Sequence, residues 1–440
     1  MTQTHAPRKV LMIAYYFPPM GLSGVQRTLK FAKYLPKYGW KPTILTVAPT
    51  GYYAIDESLL REVEELGLEV VRTSSLDVNR LFKQKGVVKM PSDPVRKVLQ
   101  FLGDMFFIPD TKIGWKSKAL KNGMQILQRD QFDLIFATAP PQTDFLIGLS
   151  LKKQSQLPLV LDYRDAWLEN PFKYFPTPLH RYLHKRLEMK VLKACDRVIV
   201  THRRVKETIL KKKTSLSYHD VVIISQGYDP EDFDQPTLRD LPHRKMRVVH
   251  CGTFYGGRNP STLLRALYNL FSASTTIRGR IEVAFVGNTR REDQDLVAKL
   301  GLQNDVTFHG YLEHRESVKK LLQADVTWFI LDNDYQTPGK LYEYFGARKP
   351  LLASVVDGYI KQLILESGAA TCVPPNDVAA HEEALKKLFQ DFENKKLGQI
   401  PQEFAERFNR VQLAGELAKQ FESLMDIDKH AFTRLQEATA

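Results

Sequence analysis

The residues of this chain that are best suited to chemistry lie in one stretch, residues 337–353. Pro338 and Gly339 predict a tight turn that starts a short helix, and a Lys-Pro pair ends that helix before a buried strand. The N-terminus of a helix offers unpaired N–H groups and partial positive charge to a phosphate, and Lys340 adds a full charge. Glu343, one turn further along, can accept hydrogen bonds from two sugar hydroxyls. Phosphate and ribose diol together describe a nucleotide, although a Glu in a helix is equally typical of solvated surface.

A second candidate site follows a predicted strand at residues 246–251. Gly252 and Thr253 begin a glycine-bearing turn, and Arg258 stands just before a predicted helix. Such a turn can hold a phosphate against the backbone, and a guanidinium can bind two phosphate oxygens at once. The alternative is an ordinary turn with an exposed arginine.

A third group of charges follows three aliphatic residues that predict a buried parallel strand. Asp162, Arg164 and Asp165 stand where that strand should end. In open α/β sheets the carboxyl ends of the strands border the ligand crevice, so these side chains are placed to act. The alternative is that the Asp and Arg side chains simply pair with each other.

The start of the chain predicts how these residues are positioned. Residues 9–16 predict a strand, residues 25–35 a helix and residues 41–47 a second strand. This strand–helix–strand order is typical of a parallel, doubly wound sheet. Gly24, in the loop after the first strand, has no Cβ and lets the backbone approach a ligand closely.

The stretch at 337–353, Thr-Pro-Gly-Lys-Leu-Tyr-Glu-Tyr followed by Arg-Lys-Pro-Leu-Leu-Ala, resembles the nucleotide-sugar signature of family 4 retaining glycosyltransferases, which have the GT-B fold. In that family the Glu that matches Glu343 binds the ribose of the donor. Many members carry a second Glu eight residues earlier, where this chain has Tyr335. Asp332 or Asp334 could take the place of that missing carboxylate.

The resemblance extends to other segments and implies a set of site residues. Asp-Tyr-Arg-Asp-Ala-Trp at 162–167 is similar to a loop that lines the active site in a branch of the family. The implied catalytic residues are Asp165, Arg258, Lys340 and Glu343. The implied donor-binding residues are Gly24, Gly252, Thr253, Arg258, Pro338, Gly339, Lys340, Leu341 and Glu343. Family members need no metal ion, and the nucleotide sugar is a substrate, so the resemblance implies neither a metal nor a cofactor.

The length of 440 residues predicts two domains. The expected fold class is α/β of the GT-B type, with two Rossmann-like, doubly wound domains that face an interdomain cleft. We expect an acceptor-binding N-terminal domain at 1–233, a linker at 234–245 and a nucleotide-sugar-binding domain at 246–410. Residues 411–440 should form a helix that crosses back to the first domain.

The composition narrows the class of partner. The formal net charge of +13 implies an anionic partner, which could be nucleic acid, lipid headgroups or a diphosphate donor. No nucleic-acid-binding motif is recognisable. The three cysteines are scattered without metal-ligand spacing, as is typical of a reduced cytosol, and no apolar run reaches the roughly 18 residues of a spanning helix. We therefore expect a cytoplasmic protein, with peripheral attachment to the inner face of the membrane as one option.

Residues 80–121 differ from the rest because cations alternate with large apolar side chains. This pattern suits an anionic membrane surface or a lipid-linked acceptor. The alternative is a helix that covers the sheet and keeps its lysines in water.

The sequence thus predicts a retaining glycosyltransferase that moves a sugar from a nucleotide diphosphate sugar to a glycan, lipid-linked or small-molecule acceptor. Two other hypotheses stay open: a nucleotide-sugar epimerase or hydrolase on the same scaffold, and a non-enzymatic nucleic-acid-binding protein. The residues do not specify the donor sugar, the base, the acceptor or the linkage.

Overall fold

The structure is a computed structural model that describes residues 6–21, 23–49, 54–76, 93–170, 173–235, 245–254, 257–336 and 338–439. The chain forms two compact units. The first contains residues 1–225 and 410–440, and the second contains residues 226–409.

The first unit is built on a parallel sheet, which has seven strands within the described residues, in the order β3-β2-β1-β4-β5-β6-β7. Its strands are β1 (Arg8–Ile13), β2 (Trp40–Val47), β3 (Glu69–Thr73), β4 (Leu134–Ala139), β5 (Leu159–Tyr163), β6 (Arg197–Val200) and β7 (Val221–Ile223).

Helices cover both faces of this sheet. They are α1 (Ser23–Tyr34), α2 (Glu57–Glu65), α3 (Asp93–Phe106), α4 (Lys116–Arg129), α5 (Thr143–Ser155), α6 (Pro178–Leu192) and α7 (Arg203–Leu210), with short 3₁₀ turns at Leu35–Tyr38 and Ile113–Trp115.

The strands of the first unit read as continuous apolar runs because the sheet is buried on both sides. In β1, Leu11 and Ile13 belong to one apolar cluster, whereas Val10 and Met12 belong to the cluster on the opposite face. The second cluster also contains Phe421, from the last helix of the chain. That helix therefore completes the core of the first unit.

The second unit has a six-stranded parallel sheet within the described residues, in the order β10-β9-β8-β11-β12-β13. Its strands are β8 (Met246–Cys251), β9 (Ile281–Val286), β10 (Val306–Gly310), β11 (Val326–Leu331), β12 (Leu351–Val355) and β13 (Ala370–Val373).

The remaining helices follow in chain order. They are α8 (Pro230–Phe233), α9 (Ser261–Ala273), α10 (Arg291–Lys299), α11 (His314–Leu322), α12 (Gly339–Ala347), α13 (Tyr359–Glu366), α14 (Val378–Glu393), α15 (Gln402–Glu406) and α16 (Arg410–Thr439). All of them belong to the second unit except α16, which belongs to the first.

In both sheets the strand order reverses at a switch point, between β1 and β4 in the first unit and between β8 and β11 in the second. Ligands of open α/β sheets bind outside the carboxyl ends of the strands at such points. Each unit therefore has one place where a ligand is expected.

The boundary between the units differs from the predicted one. Residues 226–233, predicted as the end of the first domain, belong to the second unit. Tyr228 explains the difference, because its ring packs against Gly346 and its backbone N–H donates to the carbonyl of Phe408. Most of the predicted linker lies outside the described residues.

Other comparisons with the predictions concern secondary structure. The edge strands β3 and β13 were not predicted, because most of their residues are only half-buried and lack an apolar run. The helix predicted at 411–440 coincides with α16 (Arg410–Thr439), and the short helix α15 (Gln402–Glu406) precedes it. Within the basic stretch at 80–121, residues 80–92 lie outside the described residues and the rest contains α3 and the start of α4. Among the helices that the structure describes, none is long and apolar enough to cross a membrane.

Candidate functional site

The switch point of the second unit opens because its two central strands separate early. The β8–β11 pairing consists of Val248 with Val326 and Val249 with Thr327. Beyond these pairs the chain of β8 leads into Gly252, whose backbone N–H donates to Val286. The predicted glycine turn, including Thr253, therefore starts at the carboxyl end of the sheet.

Gly252 is required by the side chain beneath it. A Cβ at this position would lie 2.9 Å from Nε2 of His250. The imidazole of His250 is stacked on Phe254, with ring centroids 4.7 Å apart, and its Nδ1 lies 2.9 Å from the carbonyl oxygen of Trp328. Because that carbonyl can only accept, Nδ1 carries the proton and Nε2 is an acceptor. The turn thus rests on an aromatic stack.

Arg258 connects the two sides of this switch point. Its side chain is buried, and Nη2 donates to Oε1 of Gln336 at 2.8 Å. Nε lies 3.8 Å from a carboxylate oxygen of Asp332. Gln336 and Asp332 both follow β11, so the guanidinium from the turn after β8 is held by the loop after β11. Gln336 was missed in the sequence analysis, since nothing in its type or spacing marks it.

Helix α12 carries the predicted ribose-binding residue. It begins at Gly339 after the extended Pro338, as the Pro-Gly pair predicted, whereas Thr337 lies outside the described residues. Nζ of Lys340 donates to Oε2 of Glu343 at 2.7 Å, and Glu343 is only 6% exposed. A carboxylate has lone pairs beyond the one that this lysine uses, so Glu343 can accept further hydrogen bonds.

Two of the predicted contacts need correction or refinement. The Leu341 side chain lies in the apolar core of the second unit, so it does not point to a ligand. Its backbone N–H donates to Pro338. Tyr335, which occupies the position of the second family Glu, is 45% exposed. Asp332 lies beside Arg258, whereas Asp334 packs against Gly358.

Two ion pairs set the electrostatics of this region, Arg258 with Asp332 and Lys340 with Glu343. Burial would lower the pKa of Lys340, but the carboxylate of Glu343 outweighs that cost and raises it. The pKa of His250 falls to about 4, mainly through burial and further through the charges of Arg258 and Lys340. His250 is therefore neutral at neutral pH, and the positive charge is concentrated on Arg258 and Lys340. Within the described ranges, no group of three or more His, Cys, Asp or Glu side chains could hold a metal ion.

The switch point of the first unit is filled by its own arginine. The guanidinium of Arg164 donates to the carbonyl oxygens of Gly24 and Pro140, and Nε donates to Ala139 at 3.4 Å. Gly24 lies in the first turn of α1, and a Cβ there would be 3.4 Å from Nη1 of Arg164. Arg164 and Gly24 therefore brace this unit.

The expectation for Asp162 was wrong, because this residue does not border a crevice. Its carboxylate is fully buried and accepts hydrogen bonds from Nη2 of Arg27 at 2.9 Å and from Oγ1 of Thr138 at 2.8 Å. It pairs with Arg27 rather than with its neighbour Arg164. Asp165, three residues further along, is half-buried, and burial raises its pKa while Arg164 opposes that shift. Of the two carboxylates, only Asp165 reaches the surface.

Comparison with known families covers both units. The profile "Glycosyltransferase Family 4" matches residues 23–232, and "Glycosyl transferases group 1" matches residues 245–391. No curated protein matches the chain.

Solved structures resemble the chain over nearly its whole length. A glycosyltransferase from Rickettsia africae is 14% identical with a TM-score of 0.64, covering 96% of this chain and 99% of its own. Anabaena Alr3699/HepE, in complex with UDP, is 15% identical with a TM-score of 0.62, covering 94% and 100%. A putative UDP-N-acetylglucosamine 2-epimerase from Listeria monocytogenes is 13% identical with a TM-score of 0.58, covering 96% and 97%.

At these identities the structural likeness shows the fold alone. Together with the two parallel α/β sheets, it confirms the predicted GT-B fold class. The two family matches, which together span most of the chain, confirm the predicted family. This chain is a glycosyltransferase enzyme of the group 1 and family 4 glycosyltransferases.

Proposed function

We propose that this glycosyltransferase is a retaining enzyme that transfers a sugar from a nucleoside diphosphate sugar to a glycan, lipid-linked or small-molecule acceptor. The observation that carries the proposal is the placement of Arg258, Lys340 and Glu343 around the switch point of the second unit. Two cations suit a diphosphate and a carboxylate suits a ribose diol. The complex of Anabaena HepE with UDP makes UDP the first nucleotide to test.

In this proposal the reaction depends on charge. Negative charge develops on the diphosphate as the bond to the sugar breaks, and preorganised cations stabilise that charge. Arg258, held by Gln336, and Lys340, held by Glu343, would supply this stabilisation without a metal ion. Asp165 in the first unit would hold an acceptor hydroxyl through its carboxylate, whose pKa is raised by burial.

The proposal is tested at Glu343. Glu343→Gln keeps the shape of the side chain and loses its charge, so UDP affinity should fall by roughly 1.5–3 kcal/mol. A UDP analogue without the 2′- and 3′-hydroxyls should bind the wild type poorly and lose little more in the variant. Isothermal titration calorimetry measures both, with Glu316→Gln on the exposed face of α11 as the matched control. Full additivity of the two changes would show that Glu343 does not touch the ribose.

Two other activities give different outcomes. An epimerase, the activity named for the Listeria structure, or a hydrolase would convert the nucleotide sugar with no acceptor present. A nucleic-acid binder would keep its affinity for nucleic acid when Glu343 is changed. Turnover that requires an acceptor and is lost in Glu343→Gln supports the transferase.

The proposed acceptor side includes an anionic membrane, and a surface of the first unit fits it. On α3, Leu99 and Phe106 are 56% and 74% exposed, and on α6, Leu179 and Tyr182 are 61% and 55% exposed. The two helices lie together, because the ring of His180 contacts the carbonyl of Met105 at 3.0 Å. We name the exposed apolar side chains of α3 and α6 the apolar face.

The exposed charged side chains of α6 are all positive. Its exposed charged residues are Arg181, Lys185, Arg186 and Lys190. Its one acidic residue, Glu188, is buried and paired with Lys212 at 2.8 Å. Apolar side chains inside a cationic rim are what an anionic bilayer surface attracts. The protein would then work as a cytoplasmic enzyme attached to the inner face of the membrane.

Vesicle flotation tests this attachment. Binding should rise with the fraction of phosphatidylglycerol and fall with salt, because the attraction is screened. Phe106→Ser should weaken binding about fivefold or more, whereas Leu365→Ser, at an exposed leucine of the second unit, should not. Equal binding to neutral and anionic vesicles would remove the electrostatic argument.

A further inference from the structure

We propose that Tyr344 is a positioning residue that couples the two halves of the donor site. One half is the turn after β8, with Gly252 and Arg258, which would hold the diphosphate. The other half is α12, with Glu343, which would hold the ribose. The inference rests on the proposed function, because it concerns how these halves act together on one nucleotide.

The gap between β8 and β11 gives Tyr344 its place. After Val249 the strand β8 no longer pairs with β11, so the backbone of Cys251 faces the gap instead of a strand. The hydroxyl of Tyr344 fills that position. It accepts the N–H of Cys251 at 2.8 Å and donates to the carbonyl oxygen of the same residue at 3.1 Å. One hydroxyl thus replaces both ladder hydrogen bonds of a missing strand residue.

Tyr344 is fully buried, and its ring packs edge-on against Phe329 with centroids 6.0 Å apart. It follows Glu343 directly in α12, while Cys251 directly precedes Gly252. The hydrogen bonds therefore join the residue next to the ribose carboxylate to the residue next to the phosphate turn. The connection between Tyr344 and Cys251 is direct and does not run through a loop.

His250 makes a second connection across the gap, but of a different kind. Its Nδ1–H donates to Trp328, so it ties β8 to β11. The same Nδ1–H also lies 3.4 Å from the Tyr344 hydroxyl oxygen, which is longer than its 2.9 Å hydrogen bond to Trp328. Tyr344 thus joins α12 to the strand end that leads into the phosphate turn, through two hydrogen bonds to Cys251.

A ligand that contacts both halves gains affinity only when the halves are held in register, as with any two linked binding sites. A ligand that contacts one half gains nothing from that register. Loss of the Tyr344 hydroxyl should therefore reduce the affinity for an intact nucleotide and leave the affinities for its fragments nearly unchanged. General loss of stability does not produce this selective pattern.

The experiment compares UDP with its fragments. In Tyr344→Phe the Kd of UDP should rise about tenfold, whereas the Kd values of uridine and of inorganic diphosphate should change less than about twofold. Tyr342→Phe, on the same helix, is the matched control and should leave all three unchanged. Equal losses for UDP and for either fragment, or no loss for UDP, would overturn the inference.

A double-mutant cycle adds a second readout. In a Glu343→Gln background the ribose half no longer binds well, so Tyr344→Phe should cost UDP binding less than it does alone. Additive losses would show that Tyr344 does not act through the ribose half. If Tyr344→Phe does not fold, Tyr344→His takes its place in the same cycle with a smaller expected loss, because one ring nitrogen can keep only one of the two hydrogen bonds to the Cys251 backbone.

Failure of the proposed function looks different from failure of this inference. If the wild type binds UDP no more tightly than inorganic diphosphate, the donor site itself is wrong. If the wild type prefers UDP and Tyr344→Phe keeps that preference, only the positioning role is wrong.

Discussion

The two switch points of this protein have the same topology and opposite contents. In the first unit β1 and β4 pair over four residues, from Val10 with Leu134 to Ile13 with Ala137, and Arg164 fills the space beyond. In the second unit the central strands pair over two residues, and Arg258 meets side chains instead of carbonyls. Backbone carbonyls hold an arginine as a brace, whereas side chains can rearrange around a ligand. Two buried arginines at the two switch points thus differ in their partners, which fits a structural role for Arg164 and the proposed role in chemistry for Arg258.

The largest effect should come from the buried pair in the first unit. Asp162→Ala leaves Arg27 buried without its carboxylate, which should lower the free energy of unfolding by about 3–5 kcal/mol. Urea denaturation measures the loss. A double variant with leucine at both positions should recover part of it, because an apolar pair leaves no charge behind. A loss under about 1 kcal/mol in Asp162→Ala would show that the pair is not structural.

The two arginines should then separate stability from catalysis. Arg258→Ala should cost about 2–4 kcal/mol of transition-state stabilisation, read from kcat/KM, with an unchanged melting temperature. Arg164→Ala should lower the melting temperature and leave UDP affinity unchanged, because its guanidinium is bound by carbonyls. The opposite phenotypes for the two variants would contradict the comparison. Lys340→Ala should lose kcat/KM in the same way as Arg258→Ala.

The smallest effect concerns pH. The pKa of His250 is about 4 in the folded protein, against 6.5 ordinarily, so the unfolded chain binds more protons between these values. The free energy of unfolding therefore falls as the pH drops through that window. His250→Asn keeps a donor for Trp328 but does not titrate. Its loss of stability between about pH 7 and pH 5 should be smaller than that of the wild type by about 1–2 kcal/mol.

His184 in the first unit also has a lowered pKa, of about 3, through burial. Its contribution is the same in both proteins and cancels in the comparison. Parallel stability curves for wild type and His250→Asn would show that the imidazole under Gly252 does not carry the pH dependence.

Local signals in the sequence were enough to predict α12 and its flanking strand. The Pro-Gly pair and the Lys-Pro pair stand at the two ends of the helix that they define, and the buried strand predicted after the Lys-Pro pair is β12 (Leu351–Val355). The glycine turn after β8 was predicted for the same reason. Signals of this kind are short-range, so one sequence is sufficient to read them.

The parts that were missed depend on partners far away in the chain. Whether Asp162 or Asp165 reaches the surface depends on Arg27, which is 135 residues from Asp162. Gln336 matters only because Arg258, 78 residues away, donates to it. The role of Tyr344 follows from where β8 and β11 separate. These contacts join residues that are far apart in the chain, so no pattern within a short window of sequence predicts them.

The membership of α16 in the first unit has a consequence for how the protein is made. Phe421 packs against Trp40 with ring centroids 5.0 Å apart, yet the entire second unit lies between them in the chain. During synthesis the second unit is complete before the first receives its last core helix. N-terminal domains usually fold first during synthesis. In this protein the core of the N-terminal unit is the last to be completed. Until α16 emerges, the apolar surface that it covers on the first unit is open to chaperones.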